Sequence, residues 1–429
     1  MNKFNQFSKI HFTTFKFAVR WTLLVVPAAM SIGSVIAFFL WLLEFATHVR
    51  FENKSLLLSL PLAGLAIHFI YKLLGKSSEK GNNLILEEIS RKGTGIPLVM
   101  APLILVTTVV THLFGGSAGR EGTAVQIGGS IAAAFGRWFG LKEEELKVLL
   151  IAGVAAGFGA VFGTPLTGAI FAMEVLAIGK IRYNALLPAL IASIVADLTV
   201  AAWGIHHTAY KIEIIPTSPY FLSQYLPLNL VLLAKIILSS VVFGLASYCF
   251  AISVHWVKAF FGKVFKTQWL VPVFGGVVIL LLTYLIGKPD YLGLGVEPEY
   301  HGAITIQSAF LNGGADTFSW LWKTIYTAIT LGTGFKGGEV TPLFYIGATL
   351  GNTLAGWFDA PVSLFAAIGF IAVFAGATNT PLACTVMGIE LFGSQYTLFF
   401  AVACFTAYLF SGNTGIYAAQ KIAVPKIFV

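Results

Sequence analysis

Long stretches of this chain carry no more than one charged side chain, and that limits what it can fold into. Residues 17–43 contain only Arg20, and residues 97–114 contain no charge beyond what His112 can take up. Residues 148–173, 186–203, 269–286, 320–331 and 398–410 are nearly as clean. Crossing a hydrocarbon core takes about 20 mostly apolar residues. Inside it every backbone polar group must find a partner, which favours helices. Well over eight helical segments can be traced, many too short to span upright, so longer ones must bury them. The expected fold is all-α and integral to a membrane, with many tilted and broken helices. Composition agrees: 57% of the residues are hydrophobic and only 11% charged, against roughly a quarter charged in an ordinary globular chain. The mean hydropathy is +0.83.

The two halves of the chain repeat each other. Gly116-Ser-Ala-Gly119-Arg-Glu121-Gly-Thr123 and Gly334-Phe-Lys-Gly337-Gly-Glu339-Val-Thr341 both read G-x-x-G-x-E-x-T. Each is followed by Ile-Gly, at Ile127-Gly128 and Ile346-Gly347. Thr164-Pro165-Leu166 then matches Thr380-Pro381-Leu382, each leading to a glutamate ten residues on, Glu174 and Glu390. The glutamate match has an offset of 218 (339 − 121) and the Thr-Pro-Leu match one of 216 (380 − 164). One transporter domain over residues 1–429 is expected, with repeats at about 15–205 and 225–421 and no room for a C-terminal regulatory domain. The polar stretch from His206 to Gln224, with Pro216 and Pro219, reads as the connection outside the membrane.

Each glycine-rich element sits between apolar helices. Glycine lets the backbone leave the helical path, and lipid tolerates such a break only where it is buried or lines a cavity. The helix after each break presents free N–H groups and a partial positive charge. Two such ends pointing inward make an anion site without a full countercharge. A carboxylate at membrane depth costs roughly 2.5–3.5 kcal/mol on insertion scales and marks function by default. Glu121, in the first turn after Gly119, can mimic a transported anion when charged and swing away when protonated, or it can simply cap a helix. Glu339 carries the same two readings. Arg120 is either the partner of a buried acid or a direct anion ligand. Tyr417, after a Gly-rich turn, offers a hydroxyl to an anion or serves as an interface aromatic. Glu174 and Glu390 read as structural groups near helix ends, or as parts of a proton route.

Other patterns are weaker. Gly115-Gly-Ser117-Ala-Gly119 fits a nucleophile elbow, but that motif needs a preceding strand, and an apolar helix precedes it here. His206 and His207 lack a third ligand nearby, and a loop location explains them. Cys249, Cys384 and Cys404 lie in apolar segments and read as small core residues. Nothing calls for a metal, a cofactor or enzymatic chemistry. The net charge of +8 is scattered through loops and ends, which is no nucleic-acid footprint. Lys3, Lys9, Lys16 and Arg20 at one end and Lys421 and Lys426 at the other place both termini in the cytoplasm by the positive-inside rule. No cleavable leader or targeting signal is evident, and a bacterial inner membrane is expected.

These motifs, in this order along nearly the whole chain, resemble the CLC family of chloride channels and anion/proton exchangers. Gly119-Arg-Glu121-Gly-Thr123 with Val125-Gln126-Ile127-Gly128 resembles the family's gating-glutamate motif. Gly338-Glu339-Val340-Thr341-Pro342 resembles its second anion-binding motif. Gly163-Thr-Pro165-Leu-Thr-Gly168 through Glu174 resembles the helix leading to its inner proton site. Tyr417 falls at the central tyrosine. The resemblance implies an inverted repeat and a homodimer with one pathway per subunit. By position Lys80-Gly81-Asn82-Asn83 puts Asn82 near the anion, with Gly119, Arg120, Val340, Thr341 and Tyr417. A second match to the family's central serine motif, Gly93-Thr-Gly-Ile-Pro97, lies too close to Glu121.

The departures point to one branch. Thr123 stands where most chloride-transporting members have proline, Val340 where they have phenylalanine, and Glu339 where they have an apolar residue. The inner proton glutamate falls on Val175, with Glu174 one residue early. These features resemble the fluoride/proton antiporter branch, whose second anion motif carries an acid in the transport path. The expectation is a fluoride/proton antiporter in a lipid bilayer, gated by Glu121. A chloride/proton exchanger or chloride channel of the same family is the alternative.

Overall fold

The computed structural model describes residues 3–90, 95–213 and 229–427. Gly93 and Thr94, and residues 214–224 of the central connection, lie outside the described residues. Fifteen α-helices are described: α1 (Lys3–Glu52), α2 (Leu60–Leu74), α3 (Asn82–Ser90), α4 (Met100–Leu113), α5 (Glu121–Trp138), α6 (Glu143–Phe162), α7 (Pro165–Glu174), α8 (Leu186–Ala202), α9 (Leu230–Val264), α10 (Leu270–Ile286), α11 (Ser319–Gly332), α12 (Val340–Phe358), α13 (Val362–Thr378), α14 (Pro381–Phe392) and α15 (Thr397–Phe410). The described strands are β1 (Ala177–Ile178) and β2 (Lys421–Ile422), paired in parallel. Among the described residues, five helical segments are long and apolar enough to cross a membrane, including 11–52 and 230–264. At 1.5 Å per residue, α1 is about 75 Å long, more than twice a hydrocarbon core, so it tilts and projects beyond it. The shorter α12 and α13 are sheathed and almost wholly buried.

The halves are related by a two-fold, and three reciprocal contacts mark it. Gly119 and Gly338 form an antiparallel bridge, each N–H donating to the other's carbonyl at 2.6 and 2.8 Å. Phe158 of α6 and Phe374 of α13 stack with ring centroids 6.0 Å apart and planes 9° apart. Glu174, ending α7, accepts from Leu382 and Ala383 N–H at 3.1 and 2.8 Å. Glu390, near the end of α14, accepts from Leu166 and Thr167 N–H at 2.9 and 2.8 Å. Each half's glutamate thus caps the other half's helix start, where the N–H groups have no partner inside their own helix. This settles the structural reading of the two acids. Glu390→Ala leaves two amides and the Thr167 hydroxyl without an acceptor. The expected cost is roughly 1–3 kcal/mol, read as a lowered unfolding temperature in detergent.

The two-fold also corrects the repeat's register. It pairs Gly119 with Gly338, an offset of 219 (338 − 119), not the 218 that superposes the two glutamates. Both breaks open on a glycine at positive φ, Gly115 at 86° and Gly334 at 102°, and both following helices start at the same offset. Glu339 is therefore the counterpart of Arg120, and Val340 the counterpart of Glu121. The G-x-x-G-x-E-x-T match slid by one residue because glycines flank both elements. The later offset of 216 arises because α6 has 20 residues and α13 has 17. The extra turn is the charged start of α6, where Glu145 pairs with Arg20 at 2.7 Å.

One further expectation changes. Cys384 and Cys404 are buried, but Cys249 is exposed on α9 and is not a core residue. α9 is long enough to span, and Cys249 lies on its outer side. The described part of the central connection packs onto the second half. Tyr210 stacks on Phe310 at 5.4 Å, and Glu213 N–H donates to Ser363 Oγ at 3.1 Å. An aromatic ring gains more by packing there than by remaining in water.

Candidate functional site

The two breaks converge. Residues 114–120 after α4 and 333–339 after α11 bring the starts of α5 and α12 together across the Gly119–Gly338 bridge. Glu121 lies at this junction, 1% exposed. Its carboxylate accepts from Arg120 N–H at 3.0 Å and from Thr341 N–H at 3.1 Å. The Thr341 hydroxyl also donates to it. One carboxylate is thus held by main-chain donors at helix starts of both repeats, the arrangement that suits an anion.

Glycine makes room for it. A Cβ on Gly119 would stand 2.5 Å from Glu121 Oε2, and one on Gly338 would stand 3.0 Å from the same oxygen. Gly119 N–H is taken up by the bridge, so this residue supplies space and not a donor. Thr123 turns away, its hydroxyl 2.7 Å from that of Thr108. Ser117 pairs with the Thr327 hydroxyl at 3.0 Å, a neutral group that is no general base. The nucleophile elbow finds no support.

Two cavities lie on either side of this junction and share no lining residue. The first is lined by Arg120, His206 and His207, with Glu44, Asp290 and Glu297. His207 Nε2 is 4.0 Å from Asp197, so the histidine pair belongs to a loop at the cavity wall. The second is lined by Asn82, Gln126, Lys336, Glu339 and Tyr417. The sequence-derived residues therefore divide. Arg120 faces the first cavity, and Asn82, Glu339 and Tyr417 face the second. Glu121 and Thr341 bond between them, and Val340, 1% exposed, begins α12 beside them.

Within Lys80-Gly81-Asn82-Asn83, both asparagines line the second cavity and differ in their partners. Asn82 Nδ2 lies against Gly122, 2.9 Å from where a Cβ would be, and its buried Oδ1 has no hydrogen-bond partner. Asn83 Oδ1 instead accepts from Ala419 N–H at 2.9 Å. Gln126 and Lys336 were missed as lining residues. Gln126 sits four residues past Gly122 on α5, the residue that lies against Asn82, and that spacing puts both on one face of the helix. Lys336 lies inside the second break, with its ammonium 4.1 Å from the Tyr71 ring. A charge within a membrane break was a signal in plain view.

Comparison with known proteins agrees with this architecture. The family model described as voltage gated chloride channel matches residues 63–412. A chloride/fluoride channel protein of Pseudomonas syringae pv. tomato is 44% identical over 416 residues, covering 96% of this chain and 88% of that protein. An H(+)/Cl(-) exchange transporter ClcA of Vibrio cholerae is 26% identical, covering 71% and 68%. The crystal structure of a CLC-type fluoride/proton antiporter superposes with a TM-score of 0.87 at 35% identity, covering 94% and 98%. A cyanobacterial Cl-/H+ antiporter, at 18% identity and a TM-score of 0.76, shares the fold. The inverted repeat, the paired breaks and a family match spanning most of the sequence lead to one assignment: this chain belongs to the CLC family of membrane transport proteins.

Proposed function

We propose that this protein is a fluoride/proton antiporter that exports fluoride in exchange for protons, with Glu121 as gate and proton carrier. The observation that carries the proposal is the Glu121 carboxylate, held between two cavities by N–H groups from both repeats. Charged, it occupies the anion's place. Protonated, it loses the charge that holds it to those donors and releases them to an incoming fluoride. Glu339, Thr341, Asn82 and Tyr417 shape the inner part of the path, with Val340 and Gly119 leaving the space and Arg120 at the outer mouth. Fluoride is small and a strong hydrogen-bond acceptor. A site built from such donors rejects a larger ion that leaves them poorly matched.

Two similar proteins support the choice of ion, the fluoride/proton antiporter structure and the chloride/fluoride channel protein. Repeats at about 15–205 and 225–421 and a homodimer complete the proposal. The protein resides in an inner membrane with both ends in the cytoplasm. In support, Arg20 and Tyr183 line one groove, and Tyr183 follows by five residues the strand β1 that pairs with β2 beside Lys421 and Lys426. The second cavity, which contains Tyr417, then opens to the cytoplasm.

The alternative is a chloride/proton exchanger or chloride channel, as the printed name of the Vibrio relative suggests. The deciding measurement is anion efflux from liposomes holding the purified protein, fluoride against chloride, with pH recorded. The expected result is fluoride efflux with protons moving the opposite way and little chloride efflux. Brisk chloride efflux would keep the fold and sink the ion assignment.

A further inference from the structure

We infer that Gln420 is the positioning residue for Tyr417, acting by tying the last stretch of the chain to helix ends of both repeats. The inference rests on the proposed place of Tyr417 in the anion path. Tyr417 is 7% exposed yet belongs to no helix or strand, so its placement depends on what anchors the surrounding coil. Ile416 N–H donates to Ala377 O at 2.9 Å, and Gln420 N–H closes a turn onto Tyr417 O at 3.1 Å.

The Gln420 side chain then uses both ends of its amide. Nε2 donates to Val175 O at 2.9 Å and to Thr378 O at 2.9 Å, and Oε1 accepts from Asn379 Nδ2 at 2.8 Å. Val175 caps the end of α7 and Thr378 ends α13, elements from opposite repeats. Carbonyls at helix ends lack partners within their own helices, so one amide fills two needs that the fold already has. The neighbouring Ala419 N–H is held by Asn83, next to Asn82 at the same cavity. Just beyond, β2 pairs with β1, and Lys426 donates to Tyr408 O at 2.6 Å and Ser411 Oγ at 3.0 Å. The end segment is thus a strap across the inner face, and the Gln420 side chain bonds both repeats at once.

A group that must meet an ion at hydrogen-bond distance loses its effect when it moves by about 1 Å. A merely structural glutamine would alter how much protein folds and leave the affinity of the folded fraction unchanged. A positioning glutamine changes that affinity, and does so only through Tyr417.

The test is fluoride efflux by the full-length protein in liposomes over a range of fluoride concentrations, for Gln420→Ala, Tyr417→Ala and the double variant. Gln420→Ala is expected to raise the half-saturating fluoride concentration by about fivefold, the loss of one or two ordinary hydrogen bonds. The double variant is expected to match Tyr417→Ala, because two changes acting through one group do not add. Should Gln420→Ala fail to fold, Asn379→Gly removes the bond to Oε1 while suiting the left-handed backbone at that position, φ 59°, and enters the same cycle, with a smaller shift expected. A normal half-saturation in the folded Gln420 variant, or full additivity in the double, overturns the inference while leaving the antiporter proposal intact. A normal half-saturation in Tyr417→Ala brings down the place of Tyr417 in the path, and this inference with it.

Discussion

Glu121→Gln is expected to abolish proton movement coupled to fluoride and to slow fluoride exchange by about a hundredfold or more, the scale on which a positioned proton-transfer group contributes. Glutamine keeps the shape and one acceptor oxygen, so the bonds from Arg120 and Thr341 N–H survive in part. It cannot take up or give up a proton near neutral pH. Paired recordings of fluoride and pH in liposomes check the result. Proton-coupled flux that survived in this variant would refute the gating role of Glu121. A useful companion is Thr341→Val, which deletes the hydroxyl donor to the carboxylate and keeps the main-chain one. It is expected to leave coupling in place while changing the rate.

Gly347→Val is expected to be the most damaging single change to stability. Gly347 of α12 and Gly369 of α13 cross so closely that a Cβ on Gly347 would stand 2.0 Å from Gly369 O. No side-chain rotation relieves a clash with main chain, so the two helices must part. Forcing extra atoms into a packed core costs about 1–3 kcal/mol and sometimes more, and this site belongs at or above the upper end. Gly356→Ala on the same helix is the control. A Cβ there meets nothing within 4 Å, and alanine in place of an exposed helical glycine gains about 0.5–1 kcal/mol. Unfolding temperatures of the two variants in one detergent separate local crowding from a general intolerance of α12. Equal losses would contradict the crossing geometry.

The membrane class, the helical architecture and the duplicated breaks were legible because lipid leaves a chain so few choices. Glu121 was legible for the same reason, as a charge where charge is costly. The register of the repeat was not. Gly337 and Gly338 both satisfy the pattern, and only the hydrogen bonds between Gly119 and Gly338 decide between them. A hint was present, since Ile127-Gly128 and Ile346-Gly347 already stand 219 apart (346 − 127). The crossing of Gly128 with Gly153, where a Cβ would stand 2.1 Å from Gly153 O, repeats that of Gly347 with Gly369. The place of Asn82 was legible by position alone, because nothing in its neighbours says which asparagine faces Gly122. Gln420 was invisible: its partners Val175, Thr378 and Asn379 are distant in sequence, and two of its three side-chain bonds go to main-chain carbonyls, which any residue type can offer. Lys336 went unread because its place between glycines drew attention to the backbone.

The exchanged caps of Glu174 and Glu390 bear on how such a molecule is made. While the second half is still on the ribosome, α7 has already entered the bilayer with Leu166 and Thr167 amides lacking the acceptor that arrives with Glu390. A nascent half therefore carries a polar debt that only a copy lying the other way up can settle. Either half made alone leaves the amides at one helix start without the acceptor that the other half supplies.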